Sequence, residues 1–246
     1  MRIATWNIGG GFIKSDKDIY ETEEVGYFIE ELQKIQPDIA CFQEVHISLH
    51  TNQCELIAKA LGFDFFVVET IADSHIQNDQ KLWIGIISKY PIVSSKFHTL
   101  PNPNLQFIRN GKKAFSHDKG FLESKILYNG SEIRVLSGHM VPFHRFKKDF
   151  LDDEFTVIRN QCEEIISAEK MPTLIGADMN FENMEVLLPE IFVQKFIQTL
   201  DSEATTPDGK RYDKILLSLD WKCLESRVIV GNADHYLCIA DVDLIG

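Results

Sequence analysis

Two spacings of apolar residues divide the chain into helices and strands. Apolar residues recur every three or four positions in residues 25–35, 54–61 and 155–166, which predicts three amphipathic helices. Pro37 ends the first of these helices, and Gly62 ends the second. Short alternating or continuous apolar runs predict strands near residues 2–8, 38–45, 63–69, 82–88, 92–98, 120–128, 132–139, 173–178, 212–218, 223–230 and 236–242.

The order of these elements predicts one α/β domain. No linker rich in Pro, Gly or Ser, no repeat and no low-complexity tract interrupts residues 1–246. Strands cluster in the middle of the chain and helices cross between strands in each half, which favours packed sheets covered by helices. The order strand, helix, strand occurs in residues 2–45 and again in residues 132–178. The two halves therefore resemble each other in outline.

Composition and charge narrow the class of protein. Of the 246 residues, 44% are hydrophobic and 25% are charged, as in ordinary globular proteins. The 37 acidic and 25 basic residues leave a net charge of -12, which argues against coating nucleic acid or membranes through bulk charge but allows a local grip. Five cysteines without a CxxC spacing predict reduced thiols. No apolar leader follows Met1 and no run is as long as a membrane span, so we expect a cytoplasmic protein.

Polar side chains stand where the predicted strands end. Strand ends are where a rigid scaffold presents functional groups, so these side chains indicate a site. Any one of them is also explained as a loop cap or turn former, because Asp and Asn bond to their own backbone. Because acidic, amide and imidazole groups recur at so many strand ends, a functional site is favoured over a set of separate loop caps. The residues are Asn7, Glu44, His139, Asp178, Asn180, Asp234 and His235.

The motifs around these residues occur in the order of a known superfamily. They are Thr5-Trp6-Asn7-Ile8, Phe42-Gln43-Glu44-Val45, Ser137-Gly138-His139, Gly176-Ala177-Asp178-Met179-Asn180 and Ala233-Asp234-His235. Together they resemble the endonuclease/exonuclease/phosphatase superfamily, which has the DNase I-like fold, and residues 88–92 and 211–216 resemble further segments of it. The resemblance implies a four-layer α/β sandwich, with two packed mixed β-sheets flanked by helices, and a divalent-metal phosphoesterase.

The resemblance also implies a metal site. The negative oxygens of a phosphate ester repel a nucleophile, so its hydrolysis needs a cation and positioned donors. Glu44 is the implied carboxylate ligand, and Asn7 would orient Glu44 or reach the metal shell. Asp234 is left either for the metal or for a loop turn. Because magnesium prefers hard oxygen ligands, we expect Mg²⁺, or Mn²⁺, as the cofactor.

The remaining motif residues are assigned to the chemical step by the same resemblance. Asp178 would orient the attacking water, since an Asp with the usual pKa of about 3.9 is a poor base unless its surroundings raise that pKa. Asn180 would donate its amide to the phosphate or the water. His235 would donate to a phosphate oxygen while Asp213 holds its tautomer. His139 would contact the phosphate from the other half of the site.

The histidine motif at His139 also bears on the branch of the superfamily. It resembles DNase I, sphingomyelinases, inositol phosphatases, deadenylases and 5′-tyrosyl-DNA phosphodiesterases, whereas the AP-endonuclease branch usually carries a tyrosine there. The match at Gly9-Gly10-Gly11 is loose, and Met140 follows the histidine where a leucine is usual. These departures leave the substrate open.

Two basic stretches interleaved with aromatic residues could grip a polyanion, at residues 109–119 and 143–148. The neighbouring acids Asp149, Asp152 and Asp153 equally allow a solvated charged loop. We therefore expect a monomeric phosphodiesterase that acts on nucleic acid, with no membrane and no obligate protein partner. The alternative is a phosphomonoesterase or a sphingomyelinase- or inositol-phosphate-type enzyme. The lack of a predicted apolar aromatic hairpin argues against the lipid enzymes, and a silent binding module should have lost part of the motif set that this chain keeps.

Overall fold

The computed structural model describes residues 1–14, 20–74, 77, 80–109, 112–193, 195–200 and 202–245. Three short 3-10 helices cover Gly9–Gly11, Phe143–Phe146 and Asp153–Phe155. The other elements follow in chain order: β1 (Arg2–Asn7), β2 (Phe12–Lys14), β3 (Tyr20–Glu23), α1 (Val25–Ile35), β4 (Ile39–Ile47), α2 (Gln53–Leu61), β5 (Phe65–Asp73), β6 (Lys81–Ser88), β7 (Ile92–Thr99), β8 (Gln106–Arg109), β9 (Lys112–Phe115), β10 (Gly120–Tyr128), β11 (Ser131–His139), α3 (Thr156–Ser167), β12 (Thr173–Asp178), α4 (Met184–Leu187), α5 (Pro189–Phe192), β13 (Phe196–Gln198), β14 (Asp213–Ser218), β15 (Trp221–Ile229) and β16 (Leu237–Leu244).

The long strands form two mixed sheets of six strands each in the described parts of the chain. The first sheet has the order β15-β16-β1-β4-β6-β5, and the second has the order β13-β14-β12-β11-β10-β7. β1 and β4 are parallel at the centre of the first sheet, and β11 and β12 are parallel at the centre of the second. Parallel neighbours need a crossover, which α1 supplies in one sheet and α3 in the other. The resemblance between the two halves of the sequence thus corresponds to two matching strand-helix-strand units.

The two sheets pack face to face, and helices cover their outer faces. Buried residues of both sheets share the core between them, among them Ile39, Cys41, Val135 and Leu174. Helices α1 and α2 bury their apolar faces on the first sheet, and α3, α4 and α5 bury theirs on the second. This is the four-layer α/β sandwich that the resemblance implies. The sheets approach closely at Gly176, where an added Cβ would lie 2.9 Å from the Cβ atoms of Thr5 and Cys41.

The helices begin and end where local chemistry requires. Helix α1 buries Phe28, Leu32 and Ile35 on one face. Its last turn closes at Gln36, which has a left-handed backbone directly before Pro37. Helix α2 begins after Asn52, whose side chain accepts a hydrogen bond from the backbone N of Glu55 at 3.1 Å. No helix in the described part of the chain is long and apolar enough to cross a membrane.

Two hairpins that the sequence pattern does not predict project beside the sheets. They are β2–β3 and β8–β9. The expectation that the chain lacks an apolar aromatic hairpin is wrong, because β8–β9 exposes Ile108 and Phe115. The strands of these hairpins have only three or four residues, which is too short for an alternating pattern to stand out. All five cysteines are free thiols, and Cys223 is the one that is not fully buried.

Candidate active site

Strand ends of both sheets meet at one edge of the sandwich. β1 and β4 are parallel, so Asn7 at the carboxyl end of β1 lies beside Gln43, directly before Glu44 in β4. In the second sheet, His139, Asp178 and Asp213 are register partners on the neighbouring strands β11, β12 and β14. β14 is antiparallel to β12, so Asp213 begins its strand at the level where Asp178 ends its own. The topology therefore brings residues from distant parts of the sequence together at the floor of one cavity.

Asp178 is buried at this floor and accepts three hydrogen bonds. Its Oδ2 accepts from Nδ2 of Asn7 at 3.0 Å and from Nδ2 of Asn180 at 3.2 Å. Its Oδ1 accepts from the backbone N of Asn180 at 2.9 Å. Burial raises the pKa of Asp178 to about 6, although the positive charge of His235 opposes the rise. The carboxylate is thus fixed in orientation and more basic than an ordinary aspartate.

The side-chain amides of Asn7 and Asn180 both donate hydrogen bonds to Asp178. Asn180 has a left-handed backbone with φ of 48°, and its Nδ2 also donates to the carbonyl oxygen of Met140 at 3.0 Å. Its predicted hydrogen bond to a phosphate or water stays a prediction. Asn7 donates to Asp178, and its Oδ1 accepts from the backbone N of Gly9 at 3.0 Å. Asn7 therefore orients Asp178, and its expected role of orienting Glu44 or reaching the metal shell stays a prediction.

His235 and Asp213 form a buried pair next to Asp178. Nδ1 of His235 lies 2.8 Å from Oδ2 of Asp213, and Nε2 lies 3.9 Å from Oδ2 of Asp178. Burial disfavours the imidazolium, but the charges of Asp213 and Asp178 outweigh this cost and raise the pKa of His235 well above its ordinary value. The indole of Trp6 donates to the backbone carbonyl of His235 at 2.9 Å and fixes the loop. The arrangement presents a charged imidazole as a hydrogen-bond donor to the cavity.

Glu44 occupies an irregular position within β4. The register between β4 and β6 shifts between Phe42 and Val45, and Glu44 has φ of 52°. A bulge of this kind commonly re-aims a side chain next to an active site, and a left-handed backbone is unusual for a residue other than glycine. The Glu44 carboxylate lies 3.7 Å from Nε2 of His139, at the same cavity as Asp178.

The acids nearest Glu44 fit a divalent cation. Oδ1 of Asp234 is buried and has no hydrogen-bond partner among the described residues. Burial raises the pKa of Asp234; the charge of His235 opposes the rise, and that of Glu44 adds to it. A hard cation held by Glu44 and Asp234, with Asn7 at its shell, would satisfy the open oxygen and offset the repulsion between the acids.

A second group of possible ligands includes Asp178 itself. Ligand atoms of Asp178, Asp213 and His235 all lie within 4.8 Å of one another. Nδ1 of His235 is bonded to Asp213, and Asp178 accepts three hydrogen bonds, but Oδ1 of Asp213 is buried without a hydrogen-bond partner among the described residues. Because most ligand atoms of this group already have partners, the acids around Glu44 are the better metal site.

Lys119 is a residue of the site that the sequence analysis did not single out. Its Nζ lies 3.0 Å from Nδ1 and 2.9 Å from Nε2 of His139, and its side chain is only 5% exposed. Burial lowers the pKa of Lys119 to about 8, while the negative charges of Glu44 and Asp178 partly offset this effect. His139 itself is buried, 3.5 Å from Oδ2 of Asp178. Lys119 stands just before β10, so a search for polar residues at strand starts as well as strand ends would have found it.

The cavity above these groups has a volume of about 510 Å³. Its wall includes Arg145, from the second basic stretch of the sequence. The two lysines of that stretch do not line this cavity. Lys147 and Lys148 line a neighbouring cavity, and Lys148 pairs with Glu154 at 2.7 Å. Of the first basic stretch, residues 110 and 111 lie outside the described residues. Among the described residues, the two basic stretches therefore contribute two cations directly to the site, Lys119 from the first and Arg145 from the second.

His144 points away from the cluster at the cavity floor. Its ring stacks on Tyr212, with centroids 5.1 Å apart and an angle of 18° between planes. Burial lowers the pKa of His144, and the charge of Arg145 adds to this effect. His144 and Tyr212 both line the neighbouring cavity, so His144 belongs to that cavity and is not among the residues that line the active-site cavity.

Comparisons with known proteins agree with this geometry. The model of the endonuclease/exonuclease/phosphatase family matches residues 4–235. No match was found among curated protein sequences. Among solved structures, an endonuclease/exonuclease/phosphatase from Beutenbergia cavernae has a TM-score of 0.77 and 16% identity over 100% of this chain and 72% of its own.

Two further structures show how widely the fold is used. A mannosyl-6-phosphatase from Bacteroides thetaiotaomicron has a TM-score of 0.61 at 12% identity, over 99% of this chain and 100% of its own. An AP endonuclease from Archaeoglobus fulgidus has a TM-score of 0.66 at 14% identity, over 99% of this chain and 100% of its own. At such identities the likeness shows the shared fold, and the substrate has to be argued from the site.

Proposed function

The chain belongs to the endonuclease/exonuclease/phosphatase family of phosphoester-hydrolysing enzymes, and we propose that it is a divalent-metal-dependent phosphodiesterase acting on nucleic acid. One observation carries the proposal. The buried carboxylate of Asp178 is oriented by Asn7 and Asn180 and faces the His235–Asp213 pair at the floor of a cavity. An oriented acceptor beside a charged donor is what in-line attack of water on a phosphate requires.

In the proposed reaction, Asp178 orients the attacking water and takes up its proton. His235 donates from Nε2 to a phosphate oxygen, while Asp213 holds Nδ1 and keeps the imidazole charged. Because negative charge grows on the phosphate during attack, donors fixed in a buried site stabilise it without having to reorganise. Mg²⁺ or Mn²⁺ bound by Glu44 and Asp234 would supply additional positive charge to the phosphate oxygens.

Lys119 and His139 complete the positive side of the site in this proposal. The Lys119 ammonium contacts His139, and both groups lie at the cavity floor. In this proposal the Lys119 ammonium supplies positive charge beside His139. The place of the chain in the histidine-bearing branch of the family rests on His139 and stays a prediction, as does the monomeric state.

Nucleic acid as substrate is supported by the basic wall. Arg145 lines the site, and Lys147 lines the adjoining cavity, so a chain of phosphates could meet cations beyond the reacting one. Cleavage of an oligonucleotide should then fall steeply as salt rises, because each neutralised phosphate releases counterions. Hydrolysis of a small phosphodiester should change much less over the same salt series. Equal salt dependence of the two substrates, or no cleavage of DNA and RNA, would contradict the nucleic-acid substrate.

The test has a matched variant. Lys147→Ala removes a cation outside the reaction site and should flatten the salt dependence of oligonucleotide cleavage while leaving the rate on the small ester unchanged. Lys113→Ala removes an exposed lysine on the β8–β9 hairpin that does not line either cavity, and serves as the control.

A phosphomonoesterase or a sphingomyelinase- or inositol-phosphate-type enzyme is the second candidate. One observation favours its lipid form, namely the exposed Ile108 and Phe115 on β8–β9 next to the site. If this hairpin contacts lipid, the rate on a phosphodiester embedded in vesicles should exceed the rate on the same ester in solution. A rate that vesicles do not increase leaves the nucleic-acid candidate.

A further inference from the structure

An aromatic wall rises from the polar floor of the active-site cavity. Phe107 belongs to β8 and Phe146 to the 3-10 helix beside it, and Phe12 lies at the start of β2. The rings of Phe107 and Phe146 meet edge to face, with centroids 5.1 Å apart. All three residues line the cavity, and none of the three side chains is fully buried. A group attached to a phosphate on the floor would lie among these rings.

The hairpin that carries this wall is held in place by hydrogen bonds. Oγ of Ser116 donates to Oδ1 of Asn102 at 2.6 Å and accepts from the backbone N of Leu105 at 2.9 Å. The register of β8 and β9 pairs Phe107 with Ala114 on the cavity side and Ile108 with Lys113 on the opposite side. Phe107 therefore belongs to a defined face that is turned towards the site.

We infer that this wall is a subsite for a flat, uncharged aromatic ring next to the scissile phosphate, and that the ring is a nucleobase. The inference deepens the proposed function and rests on it. Aromatic side chains bind bases by stacking, which is tolerant of base identity. A cavity of about 510 Å³ has the size of ordinary small-molecule sites and could hold a single nucleotide.

A quaternary ammonium group is the competing ligand for such a wall. Aromatic cages take groups such as choline through cation–π contacts. The cavity is lined by charges of both signs, the cations Lys119, His235 and Arg145 and the carboxylates Glu44, Asp178 and Asp234. A phosphorylcholine ester therefore serves as the competing substrate in the test of the subsite.

The nucleobase has to leave its helical stack to enter such a wall. Unstacking a base is costly in a duplex and costs least in a single strand. We therefore expect single-stranded nucleic acid, or a strand end, to be cleaved faster than the interior of a duplex.

Three phosphodiesters with the same leaving group test the subsite. They are the 4-nitrophenyl esters of thymidine 5′-phosphate, of methyl phosphate and of phosphorylcholine, assayed with Mn²⁺. Stacking of one base is worth about 1–3 kcal/mol, so the kcat/KM of the thymidine ester should exceed that of the methyl ester by roughly 5- to 150-fold. A methyl ester cleaved as fast as the thymidine ester, or a phosphorylcholine ester cleaved fastest, would overturn the inference.

Variants connect the preference to the wall. Phe107→Ala should remove most of the thymidine preference and leave the methyl ester rate within about two-fold, because stacking acts on the base and not on the phosphate. Ile108→Ala, on the opposite face of the same hairpin, should change neither rate. If Phe107→Ala disturbs the hairpin, Phe12→Ala tests the other side of the cavity. An undiminished preference in both variants would overturn the inference.

The three esters distinguish failure of the proposed function from failure of the aromatic subsite. If none of the three esters is hydrolysed with Mg²⁺ or Mn²⁺, the proposed function fails. If all three are hydrolysed at similar rates, the proposed function stands and the aromatic subsite is wrong.

Discussion

Lys119 offers a quantitative test. Burial of its charge should lower the free energy of unfolding, while the same charge serves the active site. In the folded protein the pKa of Lys119 is lowered to about 8, chiefly by burial, whereas an unfolded lysine titrates near 10.5. Below pH 8 both states carry the charge, and the folded state holds it at a disadvantage on the order of 3 kcal/mol. Lys119→Met keeps the apolar stem and removes the charge. After subtracting about 1 kcal/mol for the lost hydrogen bond to His139, the variant should gain about 2 kcal/mol at pH 7.

The pH dependence of this gain has a definite sign. Between pH 8 and 10.5 the unfolded state holds the proton and the folded state does not, so the wild-type protein gains stability as pH rises. The advantage of Lys119→Met should therefore be full at pH 7 and vanish near pH 10.5. For a chain of this size, 2 kcal/mol corresponds to a rise in Tm of about 4–8 °C.

Urea unfolding of both proteins in EDTA, at pH 7 and at pH 10.5, measures the effect. The difference between the two proteins cancels every other titrating group that the substitution does not disturb. A Lys119→Met protein that is less stable than wild type at pH 7, or a gain of equal size at both pH values, would refute the reasoning. The same variant should lose activity by about 10²-fold or more if the ammonium stabilises the phosphate, and Lys119→Arg should retain part of it.

The other predictions concern the reacting groups and one buried ion pair. Asp178→Asn and His235→Ala should each lower kcat by roughly 10²–10⁴-fold with little change in Tm, and near-normal turnover in a folded variant would assign that residue to the scaffold. Arg134 is fully buried and donates to Glu123 at 2.7 Å and to the carbonyl of Ile166 at 2.8 Å. Arg134→Met should lower the free energy of unfolding by about 3–5 kcal/mol, since it removes the buried cation beside Glu123 and leaves that carboxylate with His98 as its partner, and a loss under 1 kcal/mol in urea unfolding would contradict this.

Sequence patterns predicted those parts of the site that depend on strand order alone. Asn7, His139 and Asp178 end strands that are parallel to a neighbour, so their place at one edge follows once the strands are recognised. Asp213 starts an antiparallel strand and was found through its motif. Lys119 also precedes an antiparallel strand, but no motif marked it.

Other features depend on tertiary contacts that a single sequence does not show. The left-handed backbone of Glu44 arises where β4 slips against β6, a pairing between segments about 40 residues apart. Asn7 and Asn180 could be assigned to a metal or a phosphate by resemblance, yet their hydrogen bonds to Asp178 become visible only when β1 and β12 meet. The sequence pattern does not predict the aromatic wall on β8–β9. Its strands are only four residues long, and their position depends on packing against Phe146 and on hydrogen bonds at Ser116.

The measurement that tests the account most directly is the metal dependence of phosphodiester hydrolysis. Protein dialysed against EDTA should not hydrolyse bis(4-nitrophenyl) phosphate, and added Mg²⁺ or Mn²⁺ should restore turnover. Glu44→Gln should require a much higher metal concentration for the same rate, because it removes one of two carboxylates from the proposed site. Full turnover of the wild-type protein in excess EDTA would contradict the account.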